Sequence, residues 1–255
     1  MNPGPLEVLG AGGFRDGEVH FFGEVSSTMD LVRRGDLPWN ATVVAATQTA
    51  GRGRYDRRWS SPETGGLYLT TWIRHDRTPE GAANLSQGTA LGLAHLCRTL
   101  GIADACLKWP NDLLIAGKKS AGILAECFTG DQGMGIAVGV GINVNTAQEI
   151  LSQVGQPATS LGLEAGRELP MRAVLLEFLR LWSQVDIALA NGGFAAIAQE
   201  YRSFSDLPGR LFRHSTGKDE ELVRVVGISD QGALMIEPVA GGQVRTIWGG
   251  ELLPA

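Results

Sequence analysis

Apolar residues recur along this chain with two different periods, and the switches between them set out most of its elements. Residues 18–25 alternate in the manner of a strand, and Ser27-Thr28-Met29-Asp30 then fits a capping box that opens a short helix to about Gly35. Residues 42–47 and 67–73 are rich in β-branched and aromatic side chains and read as strands. Over 82–100 the spacing becomes helical, with Leu85, Leu91, Leu93, Leu96 and Leu100 in phase and Gly101 as the stop.

Period two returns in four runs, 105–109, 112–115, 120–128 and 134–141, which predict a meander with Ala116-Gly117-Lys118-Lys119 as its tight turn. Residues 171–190 form the clearest amphipathic helix, with Val174, Leu175, Phe178, Leu181, Trp182 and Val185 on one face, and a second helix follows to Phe204. Beyond Asp206-Leu207-Pro208-Gly209 come short β-like runs at 211–213, 222–228, 233–239 and 244–248. The pattern therefore predicts an α+β core over 1–206 and a small all-β module over 207–255, with residues 1–16 a loose leader.

Composition narrows the class. With 255 residues, 44% of them hydrophobic, the chain can bury a sizeable core. A net charge of −5 argues against a generic nucleic-acid or anionic-membrane surface, each of which needs a basic field. Cys97, Cys106 and Cys127 lack the C-x-x-C spacing, and His20, His75, His95 and His214 lack metal-ligand spacing, so buried reduced thiols are expected and no zinc site. The N-terminus has no signal-peptide features, and the most apolar run, 133–144, is too short to span a bilayer. A cytoplasmic protein is expected.

Four segments have the residue types for chemistry. Residues 48–59 interleave Gly51 and Gly53 with Arg52, Arg54, Arg57 and Arg58 and carry a local charge of +3. Glycine lets backbone close over a ligand, and guanidinium groups grip phosphate or carboxylate with two parallel hydrogen bonds, although a solvated basic loop has the same pattern. With Tyr55 and Trp59, the loop could also stack on bases. The second segment is Lys108-Trp109-Pro110-Asn111-Asp112 followed by Gly117-Lys118-Lys119-Ser120. It is not a P-loop, because Asp112 stands where the first glycine belongs and no helix is expected to follow. Gly139-Val140-Gly141-Ile142-Asn143 and Ser26-Ser27-Thr28 complete the set; sheet packing and helix capping account for them equally well.

Taken in order, S-T before a helix, Q-x-x-G-R-G-R-x-x-R-x-W, K-W-P-N-D, K-x-A-G-I and G-x-G-I-N, the chain resembles the biotin protein ligase family, from about Glu18 to Pro254. The resemblance implies a mixed, largely antiparallel sheet flanked by helices, like the core of class II synthetases, with a small C-terminal SH3-like β-barrel. It implies ATP and biotin as substrates, Mg²⁺ on the phosphates, and a biotin carboxyl carrier domain of a carboxylase as acceptor.

Carried across, it places Ser27, Thr28 and Gln48 at the ureido end of biotin and Gly51 with Arg52 beside its carboxylate. Arg54 and Arg57 would face the phosphates, and Trp59, Asn111 and Asn143 the adenine. Lys119 would bridge biotin's carboxylate and the α-phosphate, while Gly139 and Gly141 line the biotin slot. The catalytic candidates are Lys119, Arg52, Arg54 and Asp112, the last to accept or orient the proton of the acceptor lysine. Residues 51–58 are expected to be mobile without ligand and ordered with it.

Some family members carry an N-terminal helix-turn-helix repressor domain. Here the likeness starts within about twenty residues, so DNA binding is not expected. A homodimer through the exposed face of the meander is an open expectation. The rivals are a lipoate or octanoate ligase, a nucleic-acid-binding regulator and a catalytically silent biotin sensor.

Overall fold

The computed structural model describes residues 5–55, 57–74, 79–130, 133–216 and 219–255. Residues 1–4 of the expected leader, Asp56 of the basic loop and His75 lie outside them. Within the described part the expected leader is not loose. Strand β1 (Glu7–Leu9) pairs antiparallel with β2 (Val19–Val25), and Phe14, in a 3-10 turn, is fully buried with its ring 4.4 Å from that of Trp182. Three residues of strand and one buried aromatic among glycines are too little for periodicity to detect.

After α1 (Thr28–Val32), β3 (Thr42–Gln48) runs parallel to β2, and β4 (Gly66–Arg74) returns antiparallel to it. The meander then follows: β5 (Ala105–Lys108), β6 (Asp112–Ile115), β7 (Lys118–Gly130) and β8 (Gly133–Asn143). All eight strands join one sheet in the order β1-β2-β3-β4-β8-β7-β6-β5, mixed but mostly antiparallel as the family resemblance implies. Its tight turn is shorter than expected. Ala116 and Gly117 alone turn the chain, at φ 48° and 76°, so Lys118 and Lys119 already stand on β7.

One face of the sheet packs under two long helices, α2 (Pro79–Thr99) and, beyond the short α3 (Gln148–Leu151) and α4 (Leu161–Ala165), α5 (Met171–Gly192). The helices approach closely because α2 presents Gly92 to α5: a Cβ there would lie 3.0 Å from the Trp182 Cα. Alternation along β8 assigns its two faces. Ile136, Val138, Val140 and Ile142 belong to the helix-covered core. Gly135, Ala137, Gly139 and Gly141 lie on the opposite face, where only small side chains leave room. There Phe22, Val25, Met29, Leu31, Val32, Val43, Ala45, Trp72 and Ala137 form a second, smaller core.

After α6 (Ala195–Ser203) comes a second antiparallel sheet, in the order β12-β11-β10-β9-β13. Its strands are β9 (Leu211–Ser215), β10 (Glu220–Ile228), β11 (Leu234–Pro238), β12 (Arg245–Ile247) and β13 (Glu251–Pro254). The fifth strand, β13, pairs with β9 and exceeds the four runs read from the sequence. This module is docked on the first sheet's layer: the Gly232 carbonyl accepts from both Gln87 Nε2 (2.8 Å) and Trp109 Nε1 (3.1 Å). No helix among the described residues is long and apolar enough to cross a membrane. The cysteines are free, Cys97 buried but Cys127 exposed, against the expectation that all three are buried.

Candidate active site

The face of the sheet that carries Gly139 and Gly141 is open where α1 ends its cover, and a cleft of about 500 Å³ lies there. Cross-strand register builds its floor. Gly141 pairs with Tyr68 on β4 and Gly122 on β7, and Gly139 pairs with Thr70 and Leu124. Three of those six positions are glycine, so the floor is a slot. A Cβ on Gly139 would come within 3.0 Å of Met29 Cε, and one on Gly141 within 2.3 Å of the Trp59 ring, which lies directly over it.

One end of the cleft is a closed network of neutral groups. The Thr28 backbone N–H donates to Gln48 Oε1 at 2.9 Å, so the first N–H of α1 is capped by Gln48. The Ser27 side chain makes no capping bond, so the expected capping box is not formed; Ser26 Oγ instead donates to Asp30 Oδ2 at 3.2 Å. Thr28 Oγ1 sits 3.2 Å from Gln48 Oε1 and 2.8 Å from Thr70 Oγ1, and Gln48 Nε2 donates to Ser61 Oγ at 2.9 Å. Ser27, Thr28, Gln48 and Thr70 all line the cleft.

The opposite end is cationic. The arginine loop folds as a hairpin, with Arg52 bridged to Arg58 and Gly53 N–H donating to the Arg57 carbonyl at 2.7 Å. Gly51 sits beneath it, where a Cβ would lie 2.6 Å from the Trp59 carbonyl oxygen. From this hairpin Arg52, Arg54 and Arg57 reach the cleft, and Lys119 reaches it from β7. Each has a protein partner. Arg54 Nη1 donates to Asn111 Oδ1 at 2.9 Å, and Asn111 Nδ2 in turn donates to the Ile123 carbonyl. Lys119 Nζ is 2.8 Å from Asp112 Oδ1 and 5.4 Å from the centre of the Trp59 ring, both members of the pair being largely buried. Arg57 grips Glu251 with two hydrogen bonds, at 2.7 and 2.6 Å. That contact raises the Arg57 pKa and holds the Glu251 carboxyl below its ordinary value.

Arg52 differs from these three. Its Nη1 is 3.5 Å from Glu126 Oε2 and its Nη2 3.2 Å from Asp30 Oδ1. Neither contact is aligned as a hydrogen bond; Nη2 has only the Asp30 contact, and Arg52 Nε is buried with no partner. Those two N–H groups form the side-on fork that fits a carboxylate or phosphate. A carboxylate or phosphate oxygen placed here would satisfy Nε and share Nη2 with Asp30.

Most residues read from the sequence thus share one cleft: Ser27, Thr28, Gln48, Arg52, Arg54, Arg57, Trp59, Asn111, Asp112, Lys119, Gly139 and Gly141. Gly51 and Asn143 line an adjoining hollow that shares Gln48, Trp59 and Lys119 with it, and Asn143 Nδ2 donates to the Thr159 carbonyl across that hollow. Arg57 departs from expectation, since its guanidinium is spent on Glu251. Sequence reasoning missed Ser61, Thr70, Asp30, Glu126, Glu251 and the 154–156 segment. Thr70 and Glu126 had a signal, a polar residue inside an otherwise apolar strand; Glu251 stands in Trp248-Gly249-Gly250-Glu251, which matches the family's C-terminal pattern but gives no hint of a partner on the arginine loop. Among the described residues no group of three or more His, Cys, Asp or Glu could hold a metal ion.

Residues 22–143 match the model of the Biotin/lipoate A/B protein ligase family. The bifunctional ligase/repressor BirA of Escherichia coli is 31% identical, over 98% of this chain and 79% of its own. The biotin–[acetyl-CoA-carboxylase] ligase of Mycobacterium tuberculosis is 30% identical, over 97% of this chain and 92% of its own. Among solved structures, a biotin protein ligase from Aquifex aeolicus in complex with biotin and ATP superimposes with a TM-score of 0.79 at 27% identity, covering 92% of this chain and 97% of that one.

Proposed function

Because the chain belongs to the biotin protein ligases of the Biotin/lipoate A/B protein ligase family, we propose that it activates biotin with ATP and transfers it to a lysine of a biotin carboxyl carrier domain in the cleft described above. In the first step a carboxylate oxygen of biotin bonds to the α-phosphorus of ATP, and pyrophosphate leaves with the electrons of the broken P–O bond. In the second, the acceptor lysine nitrogen attacks the carbonyl of biotinyl-5′-AMP, AMP leaves, and the nitrogen loses a proton.

The observation that carries this reading is that Arg52, with its buried Nε unpartnered, and Lys119 line the same cleft. Bringing a carboxylate to a phosphate sets two anions together, and at about 4 Å with an effective dielectric near 20 each unit-charge pair repels by roughly 4 kcal/mol. Arg52 and Lys119 offset that repulsion and stabilise the charge that grows on the α-phosphate oxygens. The neutral network of Thr28, Gln48, Ser61 and Thr70 suits the uncharged ureido ring, and the lining by Met29, Leu124 and Gly139, beside the Trp59 ring that covers Gly122 and Gly141, suits the apolar tail. Arg54, Trp59, Asn111 and Asn143 are assigned to the nucleotide, and Arg57 to its phosphates once it releases Glu251.

Asp112 first orients Lys119, which it contacts at 2.8 Å, and in the second step accepts the acceptor lysine's proton. Asp112→Asn should slow single-turnover transfer from preformed adenylate about tenfold or more; an unchanged rate would remove the assignment. The carboxylates lining the cleft, Asp112 and Glu251, are each already paired with a cation. The described residues therefore do not build a protein-held Mg²⁺ site, and any Mg²⁺ would enter on the phosphates of ATP. No step above runs through it.

The Gly/Arg hairpin would shield the adenylate from water, and protease cleavage within 51–58 should fall when biotin and ATP are added. Residues 124–130 of β7 pair with β8 on one side only, and we propose a homodimer contact on this open edge rather than on the exposed sheet face. A protein with this ATP-dependent task is placed in the cytoplasm. The decisive experiment is ATP–pyrophosphate exchange. Exchange that needs biotin and not lipoate supports the reading, and lipoate-dependent or absent exchange overturns it.

A further inference from the structure

Four charged side chains gather at the cleft mouth in an arrangement that the reaction chemistry does not by itself require. Helix α1 presents Asp30 and, at its C-terminal end, Arg33; β7 presents Glu126 from its one-sided half. Glu126 Oε2 lies 3.1 Å from Arg33 Nη2 and 3.5 Å from Arg52 Nη1, so one carboxylate oxygen serves two guanidinium groups. Asp30 Oδ1 takes Arg52 Nη2 at 3.2 Å, and its other oxygen accepts from Ser26 Oγ. Two cations and two anions thus make a cluster of zero net charge. The Nη end of Arg52 faces the acids, and Nε, on the edge it shares with Nη2, is left without a partner.

We infer that Glu126, assisted by Asp30, is a positioning residue that holds the Arg52 guanidinium edge-on to the biotin carboxylate and keeps the empty cleft from trapping other anions. The inference rests on the proposed ligase function. Arginine has many rotamers, and a fork aimed in advance loses less freedom when its ligand arrives. Arg33 locks Glu126 in turn, since a carboxylate held by one cation is less free to follow the other. Neutrality matters separately. An isolated guanidinium in a partly buried cleft attracts any phosphate or sulfate, whereas one compensated by two carboxylates favours only a ligand that also fills the slot.

The test measures the KM for biotin and for ATP, kcat, and competitive inhibition by inorganic phosphate in pyrophosphate exchange, with thermal unfolding alongside. Glu126→Gln should raise the KM for biotin about tenfold, leave that for ATP within about twofold, and make phosphate several-fold more inhibitory against biotin. Glu126→Asp keeps the charge but is one methylene short. It should retain low phosphate sensitivity while still raising the biotin KM. A Glu126→Gln protein with wild-type biotin KM and wild-type phosphate inhibition overturns the inference. So does a lowered melting temperature with parallel losses for both substrates, which marks a structural role. If the wild type shows no biotin-dependent exchange, the ligase proposal itself fails; if it exchanges normally and Glu126→Gln is unaltered, only this inference does.

Discussion

The two ends of the cleft are built on opposite principles. At the Thr28–Gln48–Ser61–Thr70 end, neutral donors and acceptors satisfy one another in a closed network, and a small uncharged group can join it by modest exchange. At the Arg54–Arg57–Lys119 end, each cation is matched to an Asn, Glu or Asp that an anionic ligand must displace or share. The difference follows from desolvation. Neutral groups can wait in a partly buried site at little cost, whereas unpaired charges cannot, so the cationic end is kept quiet by internal partners until phosphate replaces them.

The sharpest break of this contrast is Lys119→Ala. It leaves Asp112 without its counter-ion and removes a cation from the reacting centre, and biotin-dependent exchange should fall about 10²–10³-fold with the fold retained by circular dichroism. A loss under threefold would move the chemistry away from the cationic end. Next is Gly141→Ala. The new methyl meets the Trp59 ring at 2.3 Å, so the ring must leave the slot's roof; adenylation should drop at least tenfold and Trp fluorescence should shift. Thr70→Val tests the neutral end alone. It removes one of the two partners of the Thr28 hydroxyl, leaving Gln48 Oε1, and should raise the KM for biotin several-fold, about 1 kcal/mol, without changing that for ATP.

The smallest effect belongs to Glu251→Gln. Arg57 holds the Glu251 carboxyl below its ordinary value. The contact therefore stabilises above the unfolded carboxyl's pKa and is lost as pH falls through the lowered folded one. Arg57 is well exposed, so solvent screening keeps the difference below about 1 kcal/mol at neutral pH. Wild type and variant should differ slightly in melting temperature at pH 7 and coincide in acid below the carboxylate range. The variant, with Arg57 released, should need less ATP for half-maximal exchange.

How legible this was in the sequence differs along the same line. Strands β2, β3, β4, β7 and β8 and helices α2 and α5 declared themselves because each is long enough for a period to repeat, and the glycines of the slot because they alternate with valine and isoleucine on β8. Among the short elements β5, β6 and β12 were legible with the help of the turn residues around them, and others were not. Strand β1 spans three residues, α3 and α4 hold a turn or so each, and β13 ends at Pro254. The cations were legible as residue types in glycine-rich segments. Their partners were not, since Glu126 lies 74 residues from Arg52 and Glu251 lies 194 from Arg57. Pairings at such separations arise only when the sheet has formed and the second module has docked.

The Gly232 carbonyl shows what that docking entails. A single oxygen on a turn of the C-terminal module receives a hydrogen from a glutamine on α2 and another from the indole beside Asn111. Cutting the chain after residue 206 would remove the shared acceptor of both donors, open that layer to water and free the Trp109–Pro110–Asn111 bend. The tail is thus a keystone: remove it, and the arch over the nucleotide end has nothing to lean on.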